Sequence, residues 1–228
     1  MCARLLAAAI VVGTLSGCLE VEIDGDVRSN GHFTGEAVLA VPKHLLNDPE
    51  VGATIAAGDN IAADWRAAGV SISLIERKQH RYAVEAAHLA DLQLPWLTLA
   101  YDRPDADSYA FAATMALPAT TLTALARRIE RYSIPLAHGA RHGREGRELA
   151  RALAARAEVR LRLTFAGPVS ATNGQRDGNR TVTWTYDYDD LRAGEPQRAY
   201  AFGHVPIWRR GWDALRRIFD GMAGSGVP

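Results

Sequence analysis

Side chains able to hold a metal, activate a nucleophile or carry a covalent group are few in this sequence, and their spacing decides what each could do. His138 and His142 stand four apart, the interval that sets two imidazoles on one helical face for a metal ion. Gly139 and Gly143 interrupt them, and neither a cysteine nor a glutamate in HExxH phase accompanies them, so the stretch reads as a solvated loop. Asp187, Asp189 and Asp190 gather carboxylates of the kind that bind Ca²⁺. Their alternating YDYDD register and the missing glycine turn read instead as a polar strand edge. TNG at 172–174 and DGN at 177–179 lack the GxxxxGK[ST] and GxGxxG spacings that cradle phosphate, and turn chemistry accounts for both. Gly-x-Ser-x-Gly is absent. The expectation is a protein with no catalytic residue, no metal site and no cofactor, hence not an enzyme.

One residue does carry chemistry by its position. Cys18 closes MCARLLAAAIVVGTLSGC, in which Arg4 precedes the apolar run 5–12 and small or apolar residues fill 15–18. This is the three-part layout of a secretory signal, and the run is shorter than the roughly 20 apolar residues that span a bilayer. LSGC resembles a lipobox, whose cysteine takes a diacylglycerol and becomes the first residue of the mature chain. The sequence holds 2 cysteines, and Cys2 leaves with the signal, so a thioether would remove the one thiol left in an oxidising compartment. Each buried acyl CH₂ adds about 0.8 kcal/mol, and stable anchoring takes more than one chain, which diacylation supplies. Cys18 is therefore the expected lipid attachment site, residues 1–17 the signal peptide, and the membrane the expected partner. The protein is expected in a bacterial cell envelope, outside the cytoplasmic membrane. If there are two membranes, Leu19 after the cysteine favours the outer one.

A second candidate contact lies at the other end. PIWRRGWDALRRIFDGM sets Trp208, Trp212 and Phe219 on one helical stripe, with Arg209, Arg210, Arg216 and Arg217 on the other face. Such a helix at 208–228 suits either an anionic lipid interface or another protein, or the stripe docks on the domain's own sheet. The formal net charge of +0 shows no nucleic-acid footprint.

These residues need a scaffold. With 48% hydrophobic and 23% charged residues, the mature chain has the balance and length of one large domain at 18–207. Leu19, Val21 and Ile23 alternate with Glu20, Glu22 and Asp24, and after the turn SNGH the segment FTGEAVLAV returns, a β-hairpin directly against the anchor. Pro42 opens a short helical turn through Leu46. DNIAADWRAAG predicts a short helix stopped at Gly69, and VSISLIERKQHRYAV predicts a second hairpin. WLTLAYDR and DSYAFAATMAL form another strand pair around 104–107. Leu122, Leu125, Ile129, Leu149 and Leu153 mark helical stripes in an insertion at about 119–157. EVRLRLTF and TVTWTYDYD, separated by the turn NGQRDGN, return to strand. The fold class expected is α+β: a mainly antiparallel sheet built from hairpins, with that helical insertion and a C-terminal amphipathic helix.

Two blocks carry a family signature. GCLEVEIDGDVRSNGHFTGEAVLAVPKHLL joins the lipobox cysteine to an acidic strand, an NG turn, a second strand and a short helix. EVRLRLTFAGPVSATNGQRDGNRTVTWTYDYDDL pairs an LTFxGxV strand with an NG turn and a TVTW strand. Together they resemble the LppM-like family of bacterial lipoproteins, which implies an envelope lipoprotein with a β framework and brings no catalytic residue across. The resemblance also implies a carboxy-terminal membrane segment, for which this sequence offers no match, so attachment is expected through Cys18 alone or with the 208–228 helix. The function expected is non-enzymatic binding of a lipid or an envelope protein, with apolar sheet faces and covering helices to enclose a ligand. The rivals are a cell-envelope hydrolase and a structural assembly factor.

Overall fold

In EVRLRLTF every second side chain is arginine, threonine or glutamate, and the intervening Val159, Leu161, Leu163 and Phe165 are at most 1% exposed. A period of two places one row in the interior and the other in solvent, and the same logic builds most of this molecule. The computed structural model describes residues 20–40, 58–77, 80–117, 158–192 and 195–206.

In chain order these form β1 (Glu20–Val27), β2 (Phe33–Ala40), α1 (Gly58–Ala67), β3 (Ser71–Glu76), β4 (Arg81–Ala86) and a 3₁₀ turn (Leu89–Asp91). There follow β5 (Leu97–Asp102), β6 (Ser108–Met115), β7 (Glu158–Phe165), β8 (Val169–Thr172), β9 (Gln175–Asp177) and β10 (Thr181–Tyr186). α2 (Tyr188–Arg192) and β11 (Gln197–His204) complete the described elements.

The strands make two sheets. Seven lie in the order β3-β4-β2-β1-β7-β10-β9, and four in the order β5-β6-β11-β8. Every neighbouring pair is antiparallel except β1 and β7, which run parallel with Glu22 opposite Arg160 and Asp24 opposite Arg162. Those pairs close into ion pairs of 3.6 Å and 3.3 Å on the outer face, each worth about 0.2–1 kcal/mol. Gly25 faces Gly35 in the β1–β2 ladder. A Cβ on Gly35 would stand 2.1 Å from the Asp24 carbonyl oxygen, so the two backbones approach there in a way only glycine permits.

The inner faces meet through aromatic rings. Tyr109 stacks on Phe165 at 4.9 Å, and Phe111 touches Phe165 at 5.7 Å and Trp184 at 5.2 Å. These rings join the two sheets into one core. α1 adds Ile61 and Trp65, both buried, and the Trp65 indole N–H donates to the Gln93 carbonyl at 2.9 Å. Gly69, at φ +88°, turns the chain out of that helix as its sequence position predicts.

The α+β expectation is corrected in part: among the described residues the fold is mainly β, with two sheets and only short helices. Hairpin logic links neighbours in sequence, so it produces neither the parallel β1–β7 contact nor the division into two layers. Three further findings go beyond the sequence reading. NGQRDGN contains β9 as well as turns, Gln197–His204 forms the strand β11, and Leu74 of β3 is 41% exposed on an edge strand. The helical turn at 42–46, the insertion at 119–157 and the helix at 208–228 lie outside the described residues. Among the described residues no helix is long and apolar enough to cross a membrane.

Candidate functional site

The polar motifs of the sequence can be followed to their partners. Asp187 and Asp190 do not sit on a strand edge as expected: Asp187 Oδ1 accepts from the backbone N–H groups of Asp189 and Asp190 at 2.8 and 3.0 Å. Asp190 Oδ2 accepts in return from the Asp187 N–H at 3.1 Å. This reciprocal cap starts α2 and satisfies donors that a helix end leaves orphaned. The strand period ends at Tyr186 because the cap offers the next backbone groups a closer partner. No group of three or more metal-ligating side chains occurs among the described residues.

TNG at 172–174 does more than turn the chain. Asn173 Oδ1 accepts from the Trp184 indole N–H at 2.9 Å and from the Tyr200 backbone N–H at 2.9 Å, while its Nδ2 donates to the Arg198 carbonyl at 2.7 Å. The side chain thus continues β8 along β11 and at the same time holds Trp184 of the other sheet. Thr172 and Ser170 extend the seam, donating to the carbonyls of Tyr200 and Phe202 at 2.7 and 3.0 Å.

Where the chain passes from β8 of the four-stranded sheet into β9 of the seven-stranded sheet at Gly174, a cleft of about 270 Å³ opens between residues 173–175 and 183–186. β9 pairs with β10 only from Thr181 to Thr183. In the β10–β7 ladder the Phe165 N–H bonds the Arg180 carbonyl, so alternation turns the backbone of Thr181, Thr183 and Thr185 toward the β9 side. Thr185 lies beyond the last β9 pair and faces the cleft. Tyr186 also lines it, and burial, with the Asp190 carboxylate adding to it, pushes that phenol up to about 12. Tyr186 is therefore a neutral O–H near pH 7. The cleft combines aromatic and amide side chains with an open strand edge, which suits holding a polar group or an extended chain.

A second feature is the outer face of the four-stranded sheet. Tyr200 and Phe202 are 39% and 47% exposed on β11, with ring centroids 5.7 Å apart. Sequence reasoning missed both. AYAF carries the period of two, but it buries Ala199 and Ala201 and turns the aromatic residues outward, the reverse of the size rule.

Of the residues singled out in the sequence, the structure brings Asp187, Asp190 and Tyr186 together at α2 and joins Asn173 to Trp184. Cys18, His138, His142 and the contact candidates Trp208, Arg209, Arg210, Trp212, Arg216, Arg217 and Phe219 lie outside the described residues.

The arrangement defines a two-layer β domain with a mixed seven-stranded sheet and a side cleft. The LppM domain model matches residues 20–201, and the chain belongs to the LppM domain family, as a lipoprotein-family domain. Its fold is similar to the NMR structure of the folded domain of the LppM protein of Mycobacterium tuberculosis, with 16% identity over 83% of this chain and 91% of that one and a TM-score of 0.46. No curated protein matches the chain at a significant level.

Proposed function

We propose that this is a membrane-anchored bacterial envelope lipoprotein, tethered by a diacylated Cys18, that binds a lipid headgroup or a segment of another envelope protein without catalysing a reaction. The single observation that carries the binding reading is the cleft beside Trp184 and Tyr186, where the edge of β10 is left open at Thr185. The tethering reading is supported by the lipobox and by family membership. β1 begins at Glu20, so a lipid on Cys18 would sit two residues from a central strand of the larger sheet. The non-enzymatic reading is supported by the polar side chains themselves: Asp187, Asp190 and Asn173 are engaged with backbone groups.

Fractionation of the Cys18→Ser chain tests the tether, and release from membranes is the expected result. A variant that stays quantitatively membrane-bound would overturn it. Thr185→Trp, which fills the cleft from an exposed position, should abolish binding of that chain to phosphatidylethanolamine–phosphatidylglycerol vesicles or its cross-linking to an envelope protein. Unchanged binding in both assays would remove the cleft from consideration.

A further inference from the structure

The two outer faces of this domain differ in kind. On the seven-stranded sheet, Glu22, Asp24, Arg160 and Arg162 form a paired, charged surface. On the four-stranded sheet, Tyr200 and Phe202 stand up from β11 as a ridge. Register places Ala112 opposite Tyr200 and Ala110 opposite Phe202 on β6, and Ala100 opposite Ala112 on β5. Beside Tyr200 the surface is therefore recessed, one methyl deep, over two strands, and beside Phe202 the recess covers Ala110 and is bounded by Asp102 on β5.

We propose that this face is a self-association surface, and that its occupant is a second copy of the same chain. The relief is self-complementary. A rotation of 180° about an axis lying in the contact plane, along the strands and between β6 and β11, carries the ridge of one copy over the recess of the other. It does so twice, as an isologous interface requires. Two such sheets would pack about 10 Å apart with strands within about 30° of alignment, the ordinary geometry of face-to-face sheets.

Size sets the strength of the contact. Strands of six, eight, eight and four residues, about 4.8 Å apart and about 3.4 Å per residue, present about 420 Å² per copy. A pair buries about 850 Å², in the range of weak, transient contacts, so the dimer is reversible. A lipid surface would need no recess, and the charges on this face, Asp102 against Arg198 and His204, leave little net attraction to anionic headgroups. The inference does not depend on the cleft or on what it binds.

The test uses full-length chains in the cells that make them. Chains carrying Ala112→Cys and Tyr200→Cys, with different tags, are co-expressed and treated with a short bismaleimide that spans the roughly 10 Å between facing sheets, a gap too wide for a direct disulfide. The expected result is a covalently linked pair of the two tags, several-fold stronger than with Thr183→Cys, on the other sheet, replacing Tyr200→Cys. Adding Phe202→Glu to both chains should weaken the association at least about tenfold. Phe202 is solvent-exposed in the single copy, so the melting temperature should hold. A cross-link no stronger than the Thr183→Cys control overturns the proposal. Protection of the thiol introduced by Tyr200→Cys from a water-soluble maleimide by the membrane alone also overturns it and assigns the face to lipid. A bismaleimide cross-link from that thiol only to a different protein does the same and assigns the face to that protein.

Discussion

Replacing Asn173 with alanine removes one small side chain from the surface of a turn, yet its effect should reach both sheets. The amide accepts from the Trp184 indole and the Tyr200 N–H and donates to the Arg198 carbonyl, at 2.9, 2.9 and 2.7 Å. These losses are unequal. Arg198 and Tyr200 belong to an exposed stretch of β11, where water replaces the lost partner, so each costs about 0.5 kcal/mol. Trp184 is 3% exposed, and an indole N–H left unpaired there costs about 1–3 kcal/mol. The sum is about 2–4 kcal/mol, or roughly 5–15 °C in Tm for a chain of this length. Thermal melts should show that shift. A double-mutant cycle assigns its origin: in a Trp184→Phe background, with no indole N–H to orphan, Asn173→Ala should cost only about 1 kcal/mol. A melt within about 1 °C of the parent, or equal costs in both backgrounds, would refute the account of Asn173 as the link between the layers.

Leu163→Asp puts a carboxylate where the side chain is 1% exposed, at a cost of several kcal/mol against a total of about 5–15, and circular dichroism should show loss of the cooperative melt. Gly35→Ala forces a Cβ to within 2.1 Å of the Asp24 carbonyl oxygen, so the β1–β2 ladder must shift, and urea titration should show stability lowered by about 2 kcal/mol or more. His32 is held below its ordinary value of 6.5 by burial and by Arg28, against the opposing pull of Glu85 at 3.1 Å. As pH falls below about 6.5 the unfolded chain takes up this proton first, so the stability His32 contributes is complete above that pH and declines toward its folded value. His32→Gln should lose less stability than the parent between about pH 7 and 5, and parallel curves would show that the imidazole does not titrate as argued.

The alternation of EVEID and EVRLRLTF was legible as strand because a period of two has one physical meaning, a surface with one wet and one dry side. The complementary charges at Glu22, Asp24, Arg160 and Arg162 were legible too, but only as two exposed rows. That they face each other across a parallel ladder depends on β1 and β7, more than a hundred residues apart in sequence, being neighbours. Local pattern contains no term for such a contact. The same limit hid β11: its large side chains point outward, so hydrophobicity indicated the wrong face.

Asn173 shows the division most clearly. Sequence determined a turn at TNG, since asparagine and glycine suit the backbone there. Tertiary structure decided that the amide would meet Trp184 from one sheet and the backbone of Arg198 and Tyr200 from the other, because hydrogen bonds need three groups in place at once. Likewise the three aspartates determined local negative charge, while the end of β10 decided that two of them, Asp187 and Asp190, would cap a helix. Periodicity, composition and short motifs record what each segment prefers by itself. Which segments meet, and which open edge and apolar face are left over when they do, is fixed only when the layers close.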